Sequence, residues 1–148
     1  MELVLRSARP DDAPAVAEIF LAARAEAMPF LPEIHTDDET RTWIRDVVLP
    51  GYDVIVAETD NRLVGFAALD ADLLGHLYVH PELQGQGIGD ALLARAKELR
   101  PDGFRLWVFQ RNLGARRFYE RRGFRVVEVT DGAGNEEREP DVLYEWRP

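Results

Sequence analysis

The chain has 148 residues, 46% of them apolar and 30% charged, with a net charge of −9 and no cysteine. This length and composition predict one globular domain over residues 1–148 that can bury a core. The lack of cysteine excludes disulfide bonds, thiolate metal ligands and a cysteine nucleophile. The acidic balance argues against DNA or RNA as a partner, because proteins that bind nucleic acid are normally basic, and it permits a cationic substrate.

The sequence lacks the signals of a membrane or secretory protein. No apolar run reaches the length of a membrane span, and Met1–Arg6 lacks the pattern of a signal peptide. Together with the lack of cysteine, these features favour a cytoplasmic protein without a membrane partner.

Two helices are predicted in the first third of the chain, after a short strand at 3–5. An aspartate in the segment 9–12 is expected to cap the first helix. Two prolines exclude a helix from the apolar segment Met28–His35, and a capping box at 36–39 opens the second helix. The buried faces of the two helices are predicted to hold Val16, Ile19, Phe20 and Ala23, and Trp43, Ile44, Val47 and Val48.

The rest of the chain is predicted to hold six strands and two helices. The element order β-α-α-β-β-β-α-β-α-β-β predicts a mixed sheet with helices on its faces. The strands are predicted at 52–58, 63–69, 73–79, 104–109, 124–129 and 142–146. The buried face of the first of these helices is predicted to hold Ile88, Leu92, Leu93, Ala96 and Leu99, and one face of the second to hold Ala115, Phe118 and Tyr119.

The segment Leu77–Leu93 is predicted to form an anion site. An apolar strand leads through Pro81 into a loop with glycine at 85, 87 and 89, and a helix follows. Glycines permit a tight turn and close approach of a ligand to the backbone. The free N–H groups and the dipole of the helix point back at this loop, an arrangement that favours a phosphate. The alternative is an ordinary strand–helix connection that is rich in glycine.

The register of these glycines excludes two common phosphate motifs. A dinucleotide fingerprint needs a third glycine at position 90 or 92, where the chain has Asp90 and Leu92. No Gly-Lys-Ser/Thr follows the loop, so the Walker pattern is excluded as well.

The motif Gln84-x-x-Gly87-x-Gly89 resembles the pyrophosphate loop of the GNAT superfamily of N-acyltransferases, whose pattern is Arg/Gln-x-x-Gly-x-Gly/Ala. The preceding strand is similar to the fourth strand of that family. The segment Leu106–Phe124 resembles a second family block, in which an asparagine precedes Ala, Phe-Tyr and Gly-Phe. The resemblance implies an α/β fold: a mixed, mainly antiparallel seven-stranded sheet flanked by about four helices.

The resemblance also implies which residues bind acetyl-CoA. The loop amides would hold the pyrophosphate, the pantetheine arm would lie along the fourth strand, and the N–H near Val79 would stabilise the oxyanion. Asp90 departs from the family pattern, which often has a basic or small residue there. The implied CoA-binding residues are Leu77, Tyr78, Val79, Gln84, Gly85, Gln86, Gly87, Ile88, Gly89, Asp90, Asn112, Ala115, Phe118 and Tyr119.

Tyr119 matches the family tyrosine that gives a proton to the CoA thiolate; the alternative is that it only packs beside Phe118. Asn112 matches the family position before the short helix and is a catalytic-site candidate that would cap this helix and hydrogen-bond the pantetheine amide or a water; the alternative is the cap alone. Arg116 and Arg117 either reach the CoA phosphates or form a solvated helix face.

The general base and the acceptor site are left open. The base candidates are His35, His76, Glu33 and Glu26, and a water chain is the alternative. The acceptor pocket is expected between Met28–His35, the second helix and the loop before Tyr144. Acidic residues of that loop are candidates to attract a cationic amine, although a solvated turn is the alternative for most of them: Glu136, Glu137, Glu139 and Asp141.

These features predict an N-acetyltransferase that moves an acetyl group from acetyl-CoA to a primary amine of a small molecule or protein, through a tetrahedral intermediate and without a metal. The alternatives are a non-catalytic module that binds or senses acyl-CoA, and a nucleotide-binding hydrolase. The resemblance implies that the protein can form a homodimer. The sequence does not identify the acceptor amine or the length of the acyl chain.

Overall fold

Seven strands lie in residues 2–148, the part of the chain that the computed structural model describes. They are β1 (Val4–Ser7), β2 (Asp53–Thr59), β3 (Arg62–Asp70), β4 (Leu73–Val79), β5 (Phe104–Phe109), β6 (Arg125–Val129) and β7 (Asp141–Trp146). They form one sheet in the order β1-β2-β3-β4-β5-β7-β6. All neighbours are antiparallel except β4 and β5, which are parallel.

Four helices pack on this sheet within the same residues: α1 (Ala13–Ala27), α2 (Asp37–Trp43), α3 (Ile88–Leu99) and α4 (Leu113–Arg121). α2 continues through a π-helical turn (Ile44–Val48) and a last helical turn (Leu49–Gly51). The predicted mixed, mainly antiparallel seven-stranded sheet with four helices is confirmed. None of the helices in the described chain is both long and apolar enough to cross a membrane.

The sheet has a hydrophobic core on each face. Alternation along β2 sends Val54 and Val56 to one face and Ile55 and Ala57 to the other. The first face is covered by α1 and the α2 segment, the second by α3 and α4. The first core includes Val16, Ile19, Phe20, Ile44, Val48 and Phe66, and the second includes Ile88, Leu92, Leu93, Phe104, Leu106 and Tyr144.

Three local predictions were wrong. Val47 is 50% exposed because the π-helical turn rotates the helix, and Leu99 is 43% exposed because it is the last residue of α3. Asp12 occupies the N-cap position of α1, but its side chain makes no capping hydrogen bond to that helix. It lies three residues after Arg9, accepts a hydrogen bond from the Arg9 N–H, and pairs with the Arg6 guanidinium.

β4 and β5 separate towards their carboxyl ends. Their register has one Cα pair, Leu73 with Arg105, at the start of both strands, and the Arg105 N–H donates to the Asp72 carbonyl beside it. Further along, the edge of β4 that faces β5 is free of strand pairing in the described residues. A cleft therefore opens in the middle of the sheet, and the glycine loop begins at its end.

Candidate active site

The glycine loop joins the end of β4 to the start of α3. Gly85 and Gly87 have φ of 79° and 84°, in the left-handed region that side chains with a Cβ rarely adopt. Gly87 directly precedes α3, whose first backbone N–H groups have no partner inside the helix. This geometry aims several N–H groups and the positive end of the α3 dipole at one point outside the loop.

The backbone of β4 presents alternate groups to the cleft. The His80 N–H donates to the Val64 carbonyl on the β3 side. In an antiparallel ladder the groups of successive residues alternate between the two sides, so the N–H groups of Leu77 and Val79 point towards β5. Where β5 has moved away, these groups can pair with an extended ligand. The Gln84 side chain donates to the Val79 carbonyl at 3.3 Å and ties the loop to the strand.

α4 supports the loop from the other side of the cleft. A Cβ placed on Gly89 would lie 3.4 Å from the Phe118 ring, so a glycine lets α4 approach closely. The Arg122 guanidinium stacks over the Phe118 ring, 3.7 Å from its centroid, and forms a two-pronged ion pair with Asp90. Hydrogen bonds from Arg122 lower the pKa of Asp90. Sequence reasoning missed Arg122, although its position one helical turn after Phe118, at the end of α4, was a usable signal.

Asn112 and Tyr119 occupy the two ends of one face of α4. The Asn112 side chain caps the helix by accepting from the Ala115 N–H at 3.2 Å. Tyr119 is 8% exposed and packs against Phe118 and Phe124, with ring centroids 5.1 and 5.2 Å away. Burial raises the pKa of the Tyr119 hydroxyl above its ordinary value, and the nearby Tyr78 raises it further. The phenol is therefore held in its protonated form.

A cavity of about 1000 Å³ opens on the α1 and α2 face of the sheet. The segment Met28–His35, α1, α2 and the loop after β6 line it; it is called the acceptor cavity below. A hydrogen bond between His35 Nε2 and Glu136 and an ion pair between Arg24 and Glu137 cross it, each 2.9 Å long. Its lining includes Phe20, Trp43, His76, Glu33, Asp37 and Glu39.

His76 lies at the base of the acceptor cavity among five aromatic rings, whose centroids are 5.3 to 6.5 Å from its own. They belong to Phe20, Trp43, Tyr52, Phe66 and Tyr78. Burial, with a smaller effect of the Arg24 charge, lowers the pKa of His76 to about 4. The imidazole is therefore neutral at physiological pH.

Other candidate residues lie elsewhere. Glu139 is buried and pairs with Arg111 at 2.5 Å, and Asp141 is buried beside Thr130 and Asn135, so neither lines the acceptor cavity as expected. Glu26, a candidate general base, is exposed and lies outside this cavity. Arg116, a candidate for contact with the CoA phosphates, donates to the Tyr144 hydroxyl at 3.0 Å rather than extending into solvent.

Comparison with known proteins gives the family. The profile described as "Acetyltransferase (GNAT) domain" matches residues 50–126, more than half of the chain. The chain belongs to the GNAT acetyltransferase family. This membership and the relatives below confirm the predicted enzyme class, an N-acetyltransferase.

Curated relatives and solved structures resemble this GNAT enzyme. Peptidyl-lysine N-acetyltransferase YiaC of Escherichia coli K12 is 29% identical over 126 residues, covering 84% of this chain and 85% of that protein. Peptidyl-lysine N-acetyltransferase YjaB of Salmonella typhimurium is 38% identical over 87 residues, 56% and 59% of the two chains.

Two structures share the fold. Apo-form YjaB from Escherichia coli has a TM-score of 0.83 at 22% identity, over 99% of this chain and 98% of the other. The PaiA N-acetyltransferase of Thermoplasma acidophilum, solved in complex with coenzyme A, has a TM-score of 0.80 at 24% identity over 100% of both chains.

Proposed function

We propose that this GNAT enzyme transfers the acetyl group of acetyl-CoA to a primary amine of a small molecule or protein by direct attack. The observation that carries the proposal is the cleft between β4 and β5. One wall is the free edge of β4, the glycine loop lies at its end, and α4, which carries Tyr119, packs on that loop through Phe118 and Gly89.

The cofactor position follows from the free backbone groups. The pyrophosphate would accept hydrogen bonds from the amides between Gln84 and Gly89 at the start of α3. The pantetheine arm would pair with the Leu77 and Val79 backbone groups as an added strand. The Val79 N–H would then donate to the thioester carbonyl, where negative charge develops.

The chemistry needs no metal in this proposal. The amine nitrogen attacks the thioester carbon and forms a C–N bond, and the tetrahedral intermediate breaks its C–S bond to release the CoA thiolate. Tyr119 gives its proton to that thiolate. The apolar surroundings that raise the pKa of the Tyr119 phenol would also disfavour the CoA thiolate. The pKa of the proton donor and the pKa of the thiol that it protonates therefore rise together.

The amine proton is proposed to leave through cavity water. His76, with a pKa of about 4, is too weak a base to retain a proton at neutral pH, and it serves better as a hydrogen-bond acceptor. His35 is exposed and paired with Glu136 at the rim, which leaves it a candidate that a pH–rate profile of His35→Ala tests.

The acceptor cavity supports an amine acceptor, and the names of YiaC and YjaB support a lysine side chain as one such acceptor. The test is acetyl-CoA-dependent thiol release with a panel of primary amines and lysine peptides, together with mass spectrometry of the amine product. We expect thiol and acetylated amine in equal amounts. Binding of acetyl-CoA without release that depends on an amine would favour the alternative, an acyl-CoA sensor.

A further inference from the structure

The acceptor cavity carries more negative charge than acetyl transfer to a simple amine requires. Five carboxylates line it, against Arg24 and His35: Glu33, Asp37, Glu39, Glu136 and Glu137. Arg24 and His35 pair with Glu137 and Glu136, and Glu39 accepts from the Thr36 N–H at the start of α2.

Glu33 and Asp37 are therefore the two lining carboxylates that have no partner within residues 2–148, and both are exposed. They lie at the rim of the cavity, where a bound cation would remain partly hydrated. A surface carboxylate in that position contributes modestly to binding, but two of them act on the same ligand charge.

The floor of the cavity provides a second, independent sign of a ligand. His76 is half-buried among the aromatic rings of the floor, and its imidazole has no hydrogen-bond partner among the described residues. In those residues only Thr59 Oγ1 is both buried from solvent and without a partner, so the unpartnered His76 nitrogens are not sealed off from solvent. They can be reached from the cavity, and a neutral imidazole there can accept a hydrogen bond from a ligand N–H.

The helix α2 sets the distance between floor and rim. Trp43, at its end, packs edge-on against His76 with ring centroids 5.3 Å apart, and Asp37 begins the same helix. Six residues of α-helix rise about 9 Å at 1.5 Å per residue. Asp37 therefore lies about 9 Å along α2 from the residue that packs on His76, a separation that only an elongated acceptor can span.

Building on the proposed function, we propose that the acceptor cavity selects an elongated dication. Its reacting amine meets His76 at the aromatic floor, and its second positive charge lies between Glu33 and Asp37. Desolvation at the floor and the Arg24 charge beside it disfavour a charged ammonium there and so help the reacting nitrogen lose its proton, whereas the rim carboxylates keep the other nitrogen charged. Both a diamine and a lysine next to a basic residue have this chemistry.

The test compares matched acceptors by kcat/KM. One pair is hexylamine and 1,6-diaminohexane, and the other is a capped peptide with one lysine flanked either by glycines or by arginines. At low salt we expect the dication of at least one pair to be preferred about fivefold. The preference should disappear in 1 M salt, where the Debye length is about 3 Å. A preference in the first pair alone points to small diamines, and in the second alone to basic protein segments.

Variants of Asp37 test whether this residue causes the preference for the dicationic acceptor. Asp37→Asn should reduce the dication preference, Asp37→Glu should retain it, and Asp60→Asn is the matched control. Asp60 lies in the β2–β3 turn outside the cavity, with a φ of 51° that asparagine also adopts readily. Equal kcat/KM within both pairs would overturn this inference and leave the acetyltransferase proposal standing. If no amine is acetylated at all, both proposals fail.

Discussion

Arg122, just after α4, pairs through two hydrogen bonds with Asp90 in the first turn of α3. The pair connects the two segments that carry the family resemblance, and it places a cation beside the acidic residue that directly follows the glycine loop. The negative charge of Asp90 on its own would repel a pyrophosphate bound at the loop. The pairing with Arg122 offsets that charge.

Removal of Arg122 should therefore weaken CoA binding. In Arg122→Gln, Asp90 keeps its negative charge without compensation, and we expect the Kd for CoA to rise about tenfold, which is ~1.4 kcal/mol. Titration calorimetry measures it. The double variant Arg122→Gln/Asp90→Asn should recover most of the loss, because the repulsive charge is gone. A double variant as weak as the single one would show that Arg122 itself binds the phosphates.

Tyr119→Phe should lower turnover while leaving acetyl-CoA affinity nearly unchanged. The variant keeps the ring contacts with Phe118 and Phe124 but loses the proton donor. General acids contribute about 10²-fold or more, so we expect kcat to fall by at least that factor. Tyr52→Phe is a control tyrosine on the other face of the sheet. Unchanged kcat under conditions where chemistry limits the rate would remove Tyr119 from the mechanism.

Gly87→Ala should destabilise the loop and reduce CoA affinity together. The left-handed conformation at Gly87 costs an alanine about 1–2 kcal/mol, although no atom lies within 4 Å of the added Cβ. Thermal unfolding and the KM for acetyl-CoA measure the two effects. Gly51→Ala, which also has open space but no positive φ, is the control and should change neither. Equal behaviour of the two variants would contradict a conformational requirement at Gly87.

His76 should make the protein less stable as the pH falls from 6.5 to 4. The unfolded chain binds a proton at this histidine below about pH 6.5, whereas the folded chain binds it only below about 4. The unfolded state therefore binds more protons in that interval, and the free energy of unfolding decreases as the pH falls from 6.5 to 4.

The size of this effect can be isolated by substitution. Wild type should lose about 3 kcal/mol more than His76→Phe between pH 6.5 and 4, measured by urea unfolding. The difference between the two proteins removes the contribution of carboxylates that both share. Parallel curves for wild type and His76→Phe would contradict the enclosed, neutral imidazole.

The sequence was sufficient for most of the fold, because hydrophobic periodicity is a local property. Ile88 and Leu92 follow the helical repeat and are buried, and the turn at Asp60 and Asn61 has the positive φ values of a tight hairpin. The exposure of Val47 was not predictable from periodicity, since the π-helical turn interrupts the repeat ahead of Pro50.

The site was predictable only where one segment forms it. The glycine loop and the asparagine cap are each encoded in a few consecutive residues. The pairing of Asp90 with Arg122 joins residues 32 positions apart, and the acceptor cavity combines α1, α2 and a loop near the end of the chain. Such contacts depend on how the helices dock, so Glu139 and Asp141 were assigned to the wrong place.

The central claim is that acetyl-CoA binds in the cleft between β4 and β5. The most direct test is to titrate the isotopically labelled protein with acetyl-CoA and follow the backbone amide resonances. We predict that the largest shifts fall at Leu77–Val79, Gln84–Asp90 and Asn112–Tyr119. A second cavity of about 520 Å³, lined by Trp107, Glu128 and Asn135, provides the comparison. Largest shifts around that cavity, with the glycine loop unchanged, would contradict the claim.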